Sequence, residues 1–132
     1  MSQHTPSSRR PTANRRRLPQ GRAKLKALSV AIELVATLHL LQLPRGLSHL
    51  GDHLTRAADN TALRLSEASG RTMGNRHQHL EAAYAEAQEV QTDLVLIAAR
   101  GVEIPLAALH QADRLGGLIY GLLRAEVRTQ DR

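Results

Sequence analysis

Asn75-Arg76-His77-Gln78-His79-Leu80-Glu81-Ala82-Ala83-Tyr84-Ala85-Glu86-Ala87-Gln88-Glu89-Val90-Gln91-Thr92-Asp93-Leu94-Val95-Leu96-Ile97-Ala98-Ala99-Arg100, followed by Gly101, is the stretch that decides the fold. Leu80, Ala83, Ala87, Val90, Leu94 and Ile97 recur there at spacings of three and four, which puts them on one buried helix face. Asn75 can cap this helix, with Gln78 three residues on as the capping-box partner. Gly101 stands where glycine is favoured, just past a helix end.

Working outward, the same period continues on both sides. Residues 47–69 place Leu47, Leu50, Leu54, Ala57, Thr61, Leu65 and Ala68 on one stripe. Residues 24–42 carry Leu28, Ala31, Ile32, Val35 and Leu38 on one face, widened by Val30, Leu34 and Leu41. Leu43-Pro44-Arg45-Gly46 separates these two segments, because Pro removes a backbone donor and Gly permits a reversal. A fourth segment, 105–128, opens with Pro105 in the first turn and continues through Leu109, Ala112, Leu115, Ile119 and Leu122. Gly116, Gly117 and Gly121 lie inside it, each costing about 1 kcal/mol relative to Ala. Close approach of a neighbouring backbone is the expected compensation. Four helices with short breaks predict an all-α, antiparallel up-down four-helix bundle, with the extra apolar stripes of the first and fourth helices facing other subunits.

The 132 residues are one domain's worth of chain. Zero Cys excludes a disulfide scaffold, a Cys-ligated zinc site and a thiol nucleophile, and fits a reducing, cytoplasmic setting. Zero Phe, zero Trp and two Tyr remove the stacking platforms of most single-strand RNA readers. No apolar run approaches the ~20 residues of a membrane span, and the start has no signal-peptide core. Gly117-x-x-x-Gly121 has the spacing of a membrane dimer motif, in a segment too short and too polar for a bilayer.

Net charge is +6, and it divides unevenly. Arg9, Arg10, Arg15, Arg16, Arg17, Arg22, Lys24 and Lys26 make residues 1–26 +8, with no acid among them. The remaining ten Arg face all twelve carboxylates, which leaves the rest of the chain at −2. Pro6, Pro11 and Pro19 with Ser, Thr, Gln and Asn fill out a first segment, 1–23, with almost no large apolar residue. Such a composition cannot offset its ordering entropy and predicts a disordered basic arm on a bundle spanning 24–132. A terminal block of like charge commonly serves as an interaction tail. Gripping nucleic-acid phosphates through Arg is the leading reading. A merely solubilising start and an organellar transit peptide are the alternatives, the latter lacking a clear amphipathic stripe.

Candidate chemistry in the body is sparse. His49 and His53 share the i, i+4 spacing of a zincin helix, but Leu50 stands where that pattern needs its Glu, and no third ligand is evident. A solvated face is expected for the pair. His77 and His79 flank Gln78, with His79 expected half-buried beside Leu80. Asp52, Asp59, Glu67, Glu86, Glu89 and Asp93 invite a di-metal reading, which needs Glu-x-x-His pairs that the second and third helices lack. Asp52 with Arg56, Glu67 with Arg71, and Asp59 with Arg56 instead predict a salt-laced helix face. Gly70-Arg71-Thr72-Met73-Gly74 precedes a helix N-terminus but lacks the Lys and spacing of a P-loop. It is a candidate backbone-phosphate contact, bracketed by Arg71 and Arg76. No nucleophile elbow, triad spacing or kinase signature occurs, so the sequence predicts no enzyme, no metal and no cofactor.

Leu43-Pro44-Arg45-Gly46, Leu54-Thr55-Arg56-Ala57-Ala58 and Leu65-Ser66-Glu67-Ala68-Ser69-Gly70-Arg71 carry a resemblance, together with His79-Leu80, Ala83 and Glu89. Over residues 25–128 the chain resembles the small four-helix-bundle family encoded in intervening sequences of bacterial 23S rRNA genes. That family also embraces the accessory variability proteins of diversity-generating retroelements. Arg64, Ser66 and Ala68 stand where the family usually has Asn, Ala and Gly. The resemblance implies a non-catalytic homo-oligomer, most commonly a pentameric ring. In the retroelement branch it implies binding to a reverse transcriptase and its template RNA; in the intervening-sequence branch, nucleic-acid binding. The expected function is a nucleic-acid-associated accessory protein that grips RNA or DNA backbone without sequence preference. The alternative is a protein-interaction module docking a partner enzyme such as a reverse transcriptase.

Overall fold

The computed structural model describes residues 22–70 and 73–130. Within them the chain forms α1 (Arg22–His39), α2 (Ser48–Ser69), α3 (Met73–Ala99) and α4 (Leu106–Gln130), with a 3-10 turn at Arg45–Leu47. The described residues include no strand. Residues 1–21, on which the expectation of a disordered arm falls, lie outside the described part.

Each helix packs on its neighbours in the chain, and α4 returns to pack on α1, so the four enclose one core. Across α3 and α4, Arg76 meets Glu126, Tyr84 meets Tyr120 and Gln91 meets Ala112, so rising numbers on one helix face falling numbers on the other. The core is aliphatic and rich in Ala, which lets helix axes approach closely. Leu80, Ala83, Ala87, Val90, Leu94 and Ile97, the seam read from the sequence of α3, are all buried. Leu54, Ala57, Thr61, Leu65 and Ala68 of α2 are buried as well. Thr61 satisfies its hydroxyl within its own helix, donating to the Ala57 carbonyl at 2.8 Å.

Four expectations are corrected. On α1 the buried face is Ala27, Val30, Ala31, Leu34 and Leu38, while Ile32 is 56% exposed. The helix is apolar on most of its circumference, so period alone leaves its rotational phase open. Leu109 of α4 is likewise exposed, with Ala108 taking the core position. Asn75 does not begin α3, which starts two residues earlier at Met73. Finally, the α4 glycines do not admit a neighbouring backbone. Gly116 is buried against the side chains of Gln88 and Gln91, and among the described residues nothing lies within 4 Å of a Cβ placed on Gly117 or Gly121.

The connections are short and locally hydrogen-bonded. Leu40 and Leu41 close α1 on the carbonyls of Thr37 and Leu38, and Leu47 N–H donates to Pro44. The Pro105 carbonyl accepts from Ala108 and Leu109, so this proline immediately precedes α4. Gly101 sits at φ 92°, with its N–H on the Ala98 carbonyl. An L side chain is strained there. Gly101→Ala is therefore expected to lower the unfolding free energy by about 1 kcal/mol. Gly117→Ala, with open space around it, is expected to raise it by up to about 1 kcal/mol. Denaturant titration of both variants checks the pair, and equal shifts in one direction would contradict the geometry.

Candidate functional site

A polar ladder along the α2–α3 seam is the most organised cluster of side chains in the body. At one end His53 Nδ1–H donates to Asp93 Oδ2 at 2.6 Å, and His53 Nε2 lies 3.9 Å from Glu89 Oε1. In the middle Asn60 hydrogen-bonds Glu86. At the other end Glu67 Oε1 lies 3.2 Å from His79 Nδ1 and 3.7 Å from Arg64 Nη1. The ladder exists because the two helices run antiparallel, so residues spaced along α2 meet partners in reverse order on α3.

His53 and Asp93 differ in exposure: the imidazole is 50% exposed and the carboxylate 6%. Asp93 follows Val90 by three and precedes Ile97 by four, so it shares the flank of the buried seam and brings a charge with it. A buried carboxylate needs a partner, and the imidazole from α2 supplies one. The Asp93 hydrogen bond and charge raise the His53 pKa above its ordinary value. Partial burial opposes this, the Glu89 charge adds to it, and Arg56 opposes it. Burial and the like charge of Glu89 push the Glu86 carboxyl up, against the opposing effects of Arg64, the Asn60 hydrogen bond and His53.

The sign of the pH effect follows from the His53 shift. A histidine whose folded pKa lies above its unfolded value near 6.5 contributes stability that is fully present below that value. The contribution is lost as pH rises through the raised folded value. Denaturation midpoints of the native chain should therefore fall between about pH 6 and about pH 8 relative to those of His53→Gln. Parallel pH curves for the two proteins would contradict this.

The pair was not legible in the sequence, which paired His53 with His49 on a solvated face. His49 and His53 are both exposed, as expected, and the structure adds that His53 reaches across the seam to Asp93. Among the described residues no group of three or more His, Asp or Glu side chains is arranged to hold a metal ion. Two of the expected intrahelical ion pairs are also absent. Among the described residues Arg56 is paired with neither Asp52 nor Asp59; Glu67 is joined by Arg64 and His79, and its expected partner Arg71 lies outside the described residues.

The residues expected to grip phosphate fall in three groups. Arg9, Arg10, Arg15, Arg16, Arg17 and Arg71 lie outside the described residues. Arg22 and Lys24 stand in the first turn of α1, and Lys26 is exposed one turn on. Arg76 donates from Nε to Glu126 Oε2 at 2.6 Å, in a pair that is mostly shielded from solvent. Its guanidinium is thus tied to α4 rather than projecting alone beside the α2–α3 connection.

At the same end of α3 and α4, the rings of Tyr84 and Tyr120 lie 6.0 Å apart at 43°, and the Arg124 guanidinium lies 5.8 Å from the Tyr120 ring centroid. Exposed apolar side chains mark all four helices, among them Ile32, Leu63, Val95, Leu96, Leu106 and Val127. Among the described residues no helix is long and apolar enough to cross a membrane. Over the described residues these features define an all-helical fold of four α-helices. Comparison with family models, curated proteins and solved structures finds no match to the chain.

Proposed function

We propose that the chain is an antiparallel up-down four-helix bundle acting as a non-enzymatic accessory protein, which self-associates into a ring and binds RNA or DNA through its basic arm. The observation that carries this reading is the charge division, +8 on residues 1–26 against −2 on the rest. Binding through such an arm follows phosphate density rather than base edges, so it carries no sequence preference. Self-association is supported by apolar side chains left on the outside of the helices. Val95 and Leu96 lie side by side near the end of α3, and Leu106 and Leu109 near the start of α4. A monomer scatters single apolar residues, whereas grouped ones mark contact surfaces.

The test is a salt titration of RNA and duplex DNA binding by the full chain and by a chain lacking residues 1–22. Unchanged binding by the shortened chain at several salt concentrations would show that the arm is not the grip. A solution mass near 14.5 kDa would sink the ring. The same exposed apolar faces favour a second reading, a module that docks a partner enzyme such as a reverse transcriptase. Failure to co-purify with such a partner would remove it.

A further inference from the structure

The α1–α2 face carries a groove that the nucleic-acid reading leaves unused. Its floor is Val35, Leu38, Leu41 and Leu54, and its rim carries the exposed carboxylates of Asp52 and Asp59. A second hollow continues it along the same two helices, over Ile32, Ala62 and Leu63, sharing Val35 and Asp59 with the first. Neither rim carboxylate has an ion-pair partner among the described residues. Arg64 of α2 pairs with Glu67 on the α3 side, and His39 of α1 also lines the groove. The groove is therefore apolar at its base and negative at its edge.

We propose that this groove is the docking site for the chain's own basic segment, residues 9–18, which folds back along α1 and competes with external polyanions for its arginines. Charge complementarity is the first argument. Residues 9–18 contain five arginines in two groups, Arg9-Arg10 and Arg15-Arg16-Arg17, followed by Leu18, and no acid to match the sign of the rim. Arginine stems can lie along an apolar floor while their guanidinium heads reach carboxylates at the edge.

Length is the second argument. From Arg22 to Val35 is thirteen residues of α1, about 20 Å along the helix axis. Asp59 lies level with Val35, and Asp52, two helical turns earlier in α2, is about 10 Å further from the arm's point of attachment. An extended chain spans about 3.3 Å per residue, so Arg15–Arg17 reach back about 17–23 Å and Arg10 about 40 Å. The first group can meet Asp59, and Arg9 and Arg10 can meet Asp52. Pro19-Gln20-Gly21 has the composition of a turn, which docking would require there.

Docking of this kind is ionic at an exposed surface, so it weakens with salt and yields to a polyanion of higher charge density. It would hold the arm against the protein until nucleic acid takes it. The inference does not depend on the nucleic-acid reading, since a groove can hold the segment whether or not RNA displaces it.

The experiment uses the full chain, which has no Cys, so Ser7→Cys accepts a single spin label beside Arg9 and Arg10. Paramagnetic broadening of backbone amides is read at low and high salt, with and without Asp52→Asn/Asp59→Asn. Both substitutions are at exposed positions, and circular dichroism checks that the helices persist. At low salt, broadening confined to the Val35, Asp52 and Asp59 region is expected. The double variant should reduce the docked population about tenfold, and high salt should abolish it. Absence of broadening on this face, or equal broadening in the double variant, would overturn the proposal. Broadening seen only when label and isotope are on separate chains would overturn it too, because the segment would then occupy a second copy. RNA binding is measured on the same samples. A chain that binds no RNA yet shows the broadening would overturn the proposed function and leave the groove assignment standing.

Discussion

Leu94→Ala is expected to lower the unfolding free energy by about 2–5 kcal/mol, while Leu96→Ala, two residues away, changes it by less than about 1 kcal/mol. The two side chains are chemically identical and lie in the same turn of α3. Leu94 is 1% exposed and Leu96 43%. Truncating Leu94 removes buried methyl groups and leaves a hollow that the surrounding Ala-rich seam fills poorly. Truncating Leu96 removes a side chain already in contact with water. For a domain whose whole stability is about 5–15 kcal/mol, the first change takes a large share of it. Chemical denaturation of the two variants decides the matter. Equal losses would mean that the helix is rotated from the face assigned to it, and a larger loss at Leu96 would reverse the assignment outright. Measuring Leu96→Ala at several protein concentrations adds a second readout, because a self-association surface there makes the midpoint concentration-dependent.

That contrast also explains why α3 could be read from the sequence and α1 could not. In α3 Glu81, Glu86, Gln88, Glu89, Gln91 and Thr92 separate the seam residues up to Leu94 and so mark the buried face, and the apolar run Leu94-Val95-Leu96-Ile97 continues in that phase. Around α1, Leu28, Val30, Ala31, Ile32, Leu34, Val35 and Leu38 cover most of the circumference, and tertiary packing chose Leu34 over Ile32 for the core. The fold class needed only helix period and breakers, and the described residues form four α-helices. The connection between His53 and Asp93 needed more, since forty residues separate them. Only the register of α2 against α3 brings them together, and one sequence does not state that register. A weaker signal was present in Asp93 itself, a carboxylate on the flank of a buried seam. The α4 glycines misled for a related reason. Glycine inside a helix costs stability, and a close backbone is the usual compensation, yet Gly117 and Gly121 face open space.

Deleting residues 1–22 is expected to reduce the slope of log affinity against log salt by about 4 for single-stranded RNA and about 5 for duplex DNA. The deletion removes six Arg and no acid, which takes the net charge from +6 to zero. Each arginine that neutralises a phosphate releases close to one condensed counterion, and the slope counts those ions. Between about 50 and 200 mM salt, slope changes of that size correspond to a difference of about 250-fold for RNA and about 1,000-fold for duplex DNA in how affinity falls. Lys24 and Lys26 stay behind at the start of α1, so a residual, shallow salt dependence should survive. Substituting Arg15, Arg16 and Arg17 together by Gln should remove about half of the effect while keeping the length of the segment. This separates charge from mere chain extension. Base composition should matter little in any of these proteins, because phosphate contacts position a nucleic acid without reading it. If the slope is unchanged by the deletion, the grip belongs to the body. The body is −2 overall, and Arg76 is already committed to Glu126, so a body-based grip would have to work against the net charge of its own surface.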